Sequence, residues 1–325
     1  MPFKICLTGC GHMAVNGHGP MLRKYASMRG DVELAGCCDV SMERAASFAS
    51  SFGFKKAFAD MSGMLDEIKP DAALLSVPVE LTAKLSAETL ARRIPLLTEK
   101  PPGATVEEGR AIAAAAKAAG VPASVAFNRR TMPLVLALIR EIGAVGEPID
   151  NVYIEMRRVN RTEPDFSTTA IHDVDLARHI CRSDYRKAGM VYRVHGAAAP
   201  AADIHVLAEM ESGAIVSLSF PPMCGMATER VAVSLHGHTF FAELPVYGSP
   251  DAPGRIVHME GNRAIATIAG ERYEDEAEAN GFLGEHVSFF DAVREGREPA
   301  HSVEDSLQSL EVAGCLGQRL AAYAK

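Results

Sequence analysis

The sequence predicts an α/β chain in two parts: a doubly wound parallel sheet, then an α+β region with an open, mostly antiparallel sheet. Two observations carry this. Up to about residue 128, near-continuous apolar runs alternate with helical patterns, as in parallel strands covered by helices on both faces. Beyond about Gly146 the strand patterns bunch together, with hairpin signals such as Glu211-Ser212-Gly213 and few helices between them. The expected domains are residues 1–128 and 129–325, in keeping with roughly 150 residues per domain for a chain of 325.

In the first part, Phe3 to Thr8 reads as a strand, followed by Gly9-Cys10-Gly11 and a helix from about His12. Val32 to Cys38 is the next strand, ended by Asp39, and Ser41 caps an Ala-rich helix running to about Ser51. Asp71 to Val77 is an apolar strand before a helix over Val79 to Arg92, and Pro95 to Thr98 is another. Thr105-Val106-Glu107-Glu108 is a capping box opening a helix that stops at Gly120. Val121 to Phe127 and Met132 to Ile142 read as strand and helix. In the second part, strand patterns cover Asn151 to Val159, Ile204 to Met210, Ala214 to Phe220, Val231 to Leu235 and Arg255 to His258. Helical patterns cover Thr169 to Cys181, Gly281 to Arg294 and Ser302 to Ala322.

Hydrophobic residues at 48% and charged residues at 23% describe an ordinary globular chain, not a disordered one. A net charge of −8 argues against nucleic acid or an anionic membrane as partner. No apolar run approaches the ~18 residues of a membrane span, and Met1-Pro2-Phe3-Lys4-Ile5 enters a strand without a signal-peptide h-region. The seven cysteines are odd in number and lack C-x-x-C spacing, so free buried thiols in the cytoplasm are expected.

Gly9-x-Gly11-x-x-Ala14 lies between a strand and a helix, the setting of a dinucleotide fingerprint. The first glycine permits the turn, and the second lets backbone N–H groups reach the pyrophosphate at the helix N-terminus. Gly9, Gly11, His12 and Met13 are the candidate contacts. Asp39, further along than the usual ~20 residues, can accept both ribose hydroxyls, and its charge favours NAD over NADP. Arg44 keeps NADP open.

Thr98-Glu99-Lys100-Pro101-Pro102 adds a second motif. Together with Gly9-x-Gly11, Asp39, Ser76-Val77-Pro78, Phe127-Asn128-Arg129-Arg130 and Ile171-His172-Asp173-Val174-Asp175-Leu176, it resembles the glucose–fructose oxidoreductase / inositol dehydrogenase / MocA (Gfo/Idh/MocA) family. The resemblance covers essentially the whole chain and implies an N-terminal Rossmann-type domain. It further implies an NAD(P)-dependent dehydrogenase of sugars, inositols or related polyols, with a C-terminal sheet that carries substrate and forms a homo-oligomer, dimer or tetramer. Ser76, Val77, Pro78, Glu99, Lys100, Pro101 and Asn128 become candidate cofactor contacts. Lys100, Arg129, Arg157, Thr169, His172 and Asp173 become candidate substrate contacts.

Hydride transfer from a carbinol carbon requires a base for the hydroxyl proton and positive charge beside the oxygen. His172 is the candidate base, since imidazole titrates near neutrality, and Lys100 the candidate for polarising the oxygen. The family commonly has Asp four residues before this His, on the same helical face; Thr168 stands there and would orient the ring. Asp165 and Asp175 are the nearby carboxylates. Val79 and Thr82 also depart from the family's Asn and His. Thr168 motivates a cofactor-binding sensor without redox turnover as the alternative, and an NAD-dependent eliminating glycosidase is a further one. No metal is expected: His172, Asp175 and His179 read as a polar stripe, His236-Gly237-His238 as a hairpin turn, and Glu271 to Glu278 as a solvated acidic loop.

Overall fold

The computed structural model describes residues 1–196 and 200–325. They divide into two compact units, Met1–Asn128 with Phe282–Leu310, and Arg129–Gly281 with Glu311–Lys325. The expected second domain of 129–325 is therefore interrupted, and the helix Phe282–Arg294 belongs with the first unit. The reason is apolar burial: Phe289 and Phe290 enter the same core as Ile5, Leu7, Leu22 and Tyr25.

In unit 1, β1 (Phe3–Thr8), β2 (Val32–Cys38), β3 (Lys56–Phe58), β4 (Ala72–Leu75), β5 (Leu96–Glu99) and β6 (Ala123–Ala126) form a parallel sheet. Its order is β3-β2-β1-β4-β5-β6, the doubly wound order with a switch point between β1 and β4. Strands β1, β4, β5 and β6 are largely or wholly buried, which is why their sequences are apolar without alternation. Short β3 and the helix Met61–Ile68 are additions to the predicted elements. Three residues at a sheet edge carry too little pattern to be read. Caps stand where expected: the Arg44 N–H donates to Ser41 Oγ and the Glu108 N–H to Thr105 Oγ1.

In unit 2, β7 (Ile149–Arg157), β8 (Tyr185–Val194), β9 (Ala202–Met210), β10 (Ile215–Phe220), β11 (Thr228–Leu235), β12 (His238–Leu244), β13 (Arg255–Glu260), β14 (Arg263–Ala269) and β15 (Ala322–Ala324) form one open sheet among the described residues. Only the β7–β10 pair is parallel among its described pairings. The order is β14-β13-β12-β11-β7-β10-β9-β8-β15. Strands β8, β12, β14 and β15 exceed the predicted set, and the C-terminal helix ends at Gly317, not near Ala322. Charged residues such as Arg186, Lys187 and Arg193 on half-exposed β8 mask its alternation. One face packs on the helices Pro133–Val145 and Ser167–Cys181, burying Val152, Ile154, Val206, Val216, Val233 and Phe240. The predicted His236-Gly237-His238 turn joins β11 and β12, with Gly237 at φ 76°.

Candidate active site

The carboxyl ends of β1, β2, β4 and β5 form one rim of unit 1, where ligands of open α/β sheets bind. Gly9 follows β1, Asp39 follows β2, Ser76 follows β4, and Lys100 follows Glu99 at the end of β5. The two glycines do different work. Gly9 has φ 94°, and a Cβ there would fall 2.0 Å from the Ser76 carbonyl oxygen, so the β4 loop itself demands glycine. Gly11 is exposed, and a Cβ there would meet nothing within 4 Å. That open space at a helix N-terminus is where a pyrophosphate needs close backbone approach, so the residues fit a dinucleotide. His12 is exposed and Met13 half-buried in the same turn, ahead of fully buried Ala14.

Asp39 is buried and bridges the two turns. The Cys10 N–H donates to its Oδ2 at 3.0 Å, and the Ser41 N–H donates to Oδ1 at 2.9 Å. Arg44 also donates to Oδ1, at 2.7 Å through Nη2. Burial opposes the charge of Asp39, yet these hydrogen bonds prevail and hold its pKa below the usual value. Arg44, which kept NADP open, has its guanidinium paired with Asp39.

Glu99, expected at the cofactor, faces inward. Its Oε1 lies 2.9 Å from His18 Nε2, and its Oε2 accepts from the Lys100 N–H. His18, which the motif reading missed, sits in a π-helical turn, Ala14–His18, that breaks the regular helix and turns this ring into the core. The Lys100–Pro101 bond is cis.

Helix Ser167–Cys181 in unit 2 is buried on almost every side, His172 and Asp173 included. Asp165, the carboxylate nearby in sequence, accepts the Ser167 N–H at the helix start. Asp175, in the His172–Asp175–His179 stripe, is held by two bonds of 2.6 Å from Arg130. Thr169 Oγ1 accepts from Arg161, and Arg157 donates to Glu155.

Two expected substrate contacts are engaged internally. Arg129 donates both Nε and Nη2 to Glu229, each at 3.0 Å, and Arg158 adds a 2.6 Å bond to the same carboxylate. Burial opposes the Glu229 charge, but the two guanidiniums hold its pKa at about 2. Asp173 is fully buried beside this cluster. Burial and the Glu229 charge raise its pKa well above the usual carboxylate range. Arg129 and Asp173 therefore belong to a buried charge cluster, one member of which, Glu229, had no motif to mark it.

Residues 3–127 match the model of an oxidoreductase family described by its NAD-binding Rossmann fold. Among curated proteins, the D-apiose dehydrogenase of Paraburkholderia graminis is 26% identical, over 95% of this chain and 85% of that protein. Among solved structures, a dehydrogenase from Clostridium difficile superposes with TM-score 0.84 at 16% identity, covering 98% of this chain and 100% of that one. An oxidoreductase from Agrobacterium radiobacter, in complex with NAD+, L-tartaric acid and magnesium, gives TM-score 0.79 at 16% identity, covering 100% and 98%. At such identities these two structures establish the fold alone. The family match and the rim of unit 1 make this chain an NAD(P)-dependent oxidoreductase. The family whose model residues 3–127 match is Gfo/Idh/MocA, and it is this part of the chain that is similar to it.

Proposed function

We propose that the protein transfers hydride between NAD(H) and a carbinol carbon of a sugar, inositol or related polyol. The observation that carries this is the rim of unit 1, which gathers Gly9, Gly11, Asp39 and Lys100 at neighbouring strand ends. Its similarity to D-apiose dehydrogenase supports a sugar-like substrate. Bound NAD+ supplies the hydride acceptor. Lys100 polarises the substrate oxygen, His172 accepts its proton, and Thr168 orients the imidazole. Thr169 and Arg157, partly exposed, contact the remaining hydroxyls. Asp39 beside the ribose selects NAD over NADP. The seven free thiols, five of them buried, suit a reducing cytoplasm; among the described residues no helix is long and apolar enough to cross a membrane.

The unit 2 sheet exposes Tyr153, Leu207, Phe241 and Ile265 on strands β7, β9, β12 and β14. Such a patch supports a homo-oligomer, to be checked by light scattering on the purified chain. The catalytic reading is tested by offering NAD+ with a panel of aldoses, ketoses and inositols and following NADH absorbance. Turnover is expected in the parent and lost in His172→Ala and Lys100→Met, each of which still binds NADH. Retained turnover in both variants overturns the assigned roles. NADH binding without turnover on any substrate would instead favour the sensor that Thr168 suggests.

A further inference from the structure

Four titratable side chains meet in the core of unit 1 from three separate elements. The π-helical turn supplies His18, fully buried; β5 ends in Glu99; the first turn of helix Phe282–Arg294 supplies Glu285 and His286. His18 Nδ1 lies 3.0 Å from His286 Nε2 and 3.6 Å from Glu285 Oε1. The other His18 nitrogen, Nε2, faces Glu99 Oε1 at 2.9 Å. One donor atom each from His18, Glu285 and His286 fall within 4.8 Å of one another.

Two arrangements fit these distances. In the first, hydrogen bonds alone join the rings, His286 Nε2–H donating to His18 Nδ1 and His18 Nε2–H to Glu99. In the second, a cation sits between His18, His286 and Glu285. Two nitrogens on one zinc, each ~2.0–2.1 Å from it, lie roughly 3–3.5 Å apart, close to the separation here. Two features favour the cation. Glu99 takes the Nε2–H of His18, fixing the tautomer whose Nδ1 lone pair points at His286 and Glu285, the carboxylate–histidine arrangement behind metal-ligating imidazoles. One carboxylate and two imidazoles then bring donor atoms together from two separate elements, a set that a zinc-type cation takes.

We infer that His18, His286 and Glu285 form a binding site for a divalent transition metal of the zinc type, with Glu99 as the group that holds His18. Imidazole and carboxylate donors without thiolate suit Zn2+ and its neighbours Co2+ and Ni2+, not Ca2+ or Mg2+. The metal has a positioning role. It ties the helix that follows the glycine turn, the strand end that precedes Lys100 and the helix Phe282–Arg294 into one rigid corner. The inference stands apart from the catalytic reading, because it concerns residues that the reaction does not use.

The test takes the full chain, stripped with a chelator and titrated with Zn2+ and Co2+. One metal per chain is expected by elemental analysis, with a rise in Tm on zinc addition. Co2+ should give the visible absorption of a tetrahedral site without a thiolate charge-transfer band. His286→Leu and Glu285→Gln should abolish stoichiometric binding, and Glu99→Gln should weaken it by about 10–100-fold. Should His286→Leu not fold, Glu285→Gln, which keeps the side-chain shape, gives the same reading. Failure of the parent to bind either metal overturns the inference and leaves the hydrogen-bonded pair. Undiminished binding in folded variants, or a thiolate band pointing to the cysteines, overturns it as well.

Discussion

Glu229 shows how much one side chain carries. It accepts three hydrogen bonds from Arg129 and Arg158 while fully buried. Glu229→Gln leaves two guanidiniums in the interior without their counter-charge, a loss of about 3–5 kcal/mol, to be read from urea unfolding at neutral pH. The pH dependence follows from the same contacts. With a pKa of about 2 in the folded protein against an ordinary 4.5, Glu229 contributes stability that is complete above 4.5 and lost as pH falls through about 2. Asp173 works in the opposite sense: its raised pKa gives stability below the ordinary 3.8 that is lost as pH rises through the folded value. Asp173→Asn mimics the protonated acid, so this variant should be at least as stable as the parent at neutral pH. A destabilised Asp173→Asn in the same urea titration would contradict that assignment.

The glycine turn between β1 and the following helix makes a prediction at the level of the element. Gly9→Ala places a methyl against the Ser76 carbonyl at a left-handed φ, so it should lower Tm and weaken NADH binding together. Gly11→Ala meets no protein atom. It should leave Tm within a degree or so of the parent and still weaken NADH binding by about tenfold or more, about 1.4 kcal/mol. Thermal melts with and without NADH separate the two. This turn was legible in the sequence, because its glycines, its small Ala14 and its flanking strand and helix are all local. The π-helical turn just beyond it was not. The ring of Phe282 packs against it so closely that a Cβ on Gly17 would approach within 2.6 Å.

Across the whole chain, unit 1 is completed by residues that follow strands β7 to β14 of the unit 2 sheet. Asp291 binds Tyr25 and Arg29, and Phe290 stacks near Tyr25. A chain ended after Asn128 should therefore unfold at low denaturant, while the same segment joined through a linker to Phe282–Leu310 should recover a cooperative transition by circular dichroism. Equal stability of the two would show that the returning helix is dispensable. The sequence reading assigned that helix to the second domain, since an amphipathic pattern tells which face is buried but not against what.

Local pattern alone determined the parallel sheet, the glycine turn and the place of Asp39 at a strand end, because each depends on residues close in sequence and on a strand's or helix's own period. Only the folded chain decided the partners: Arg129 with Glu229, Arg130 with Asp175, and His18 with a histidine 268 positions away. Buried polar groups must find complements within reach in space, and nothing in linear order says which ones those are.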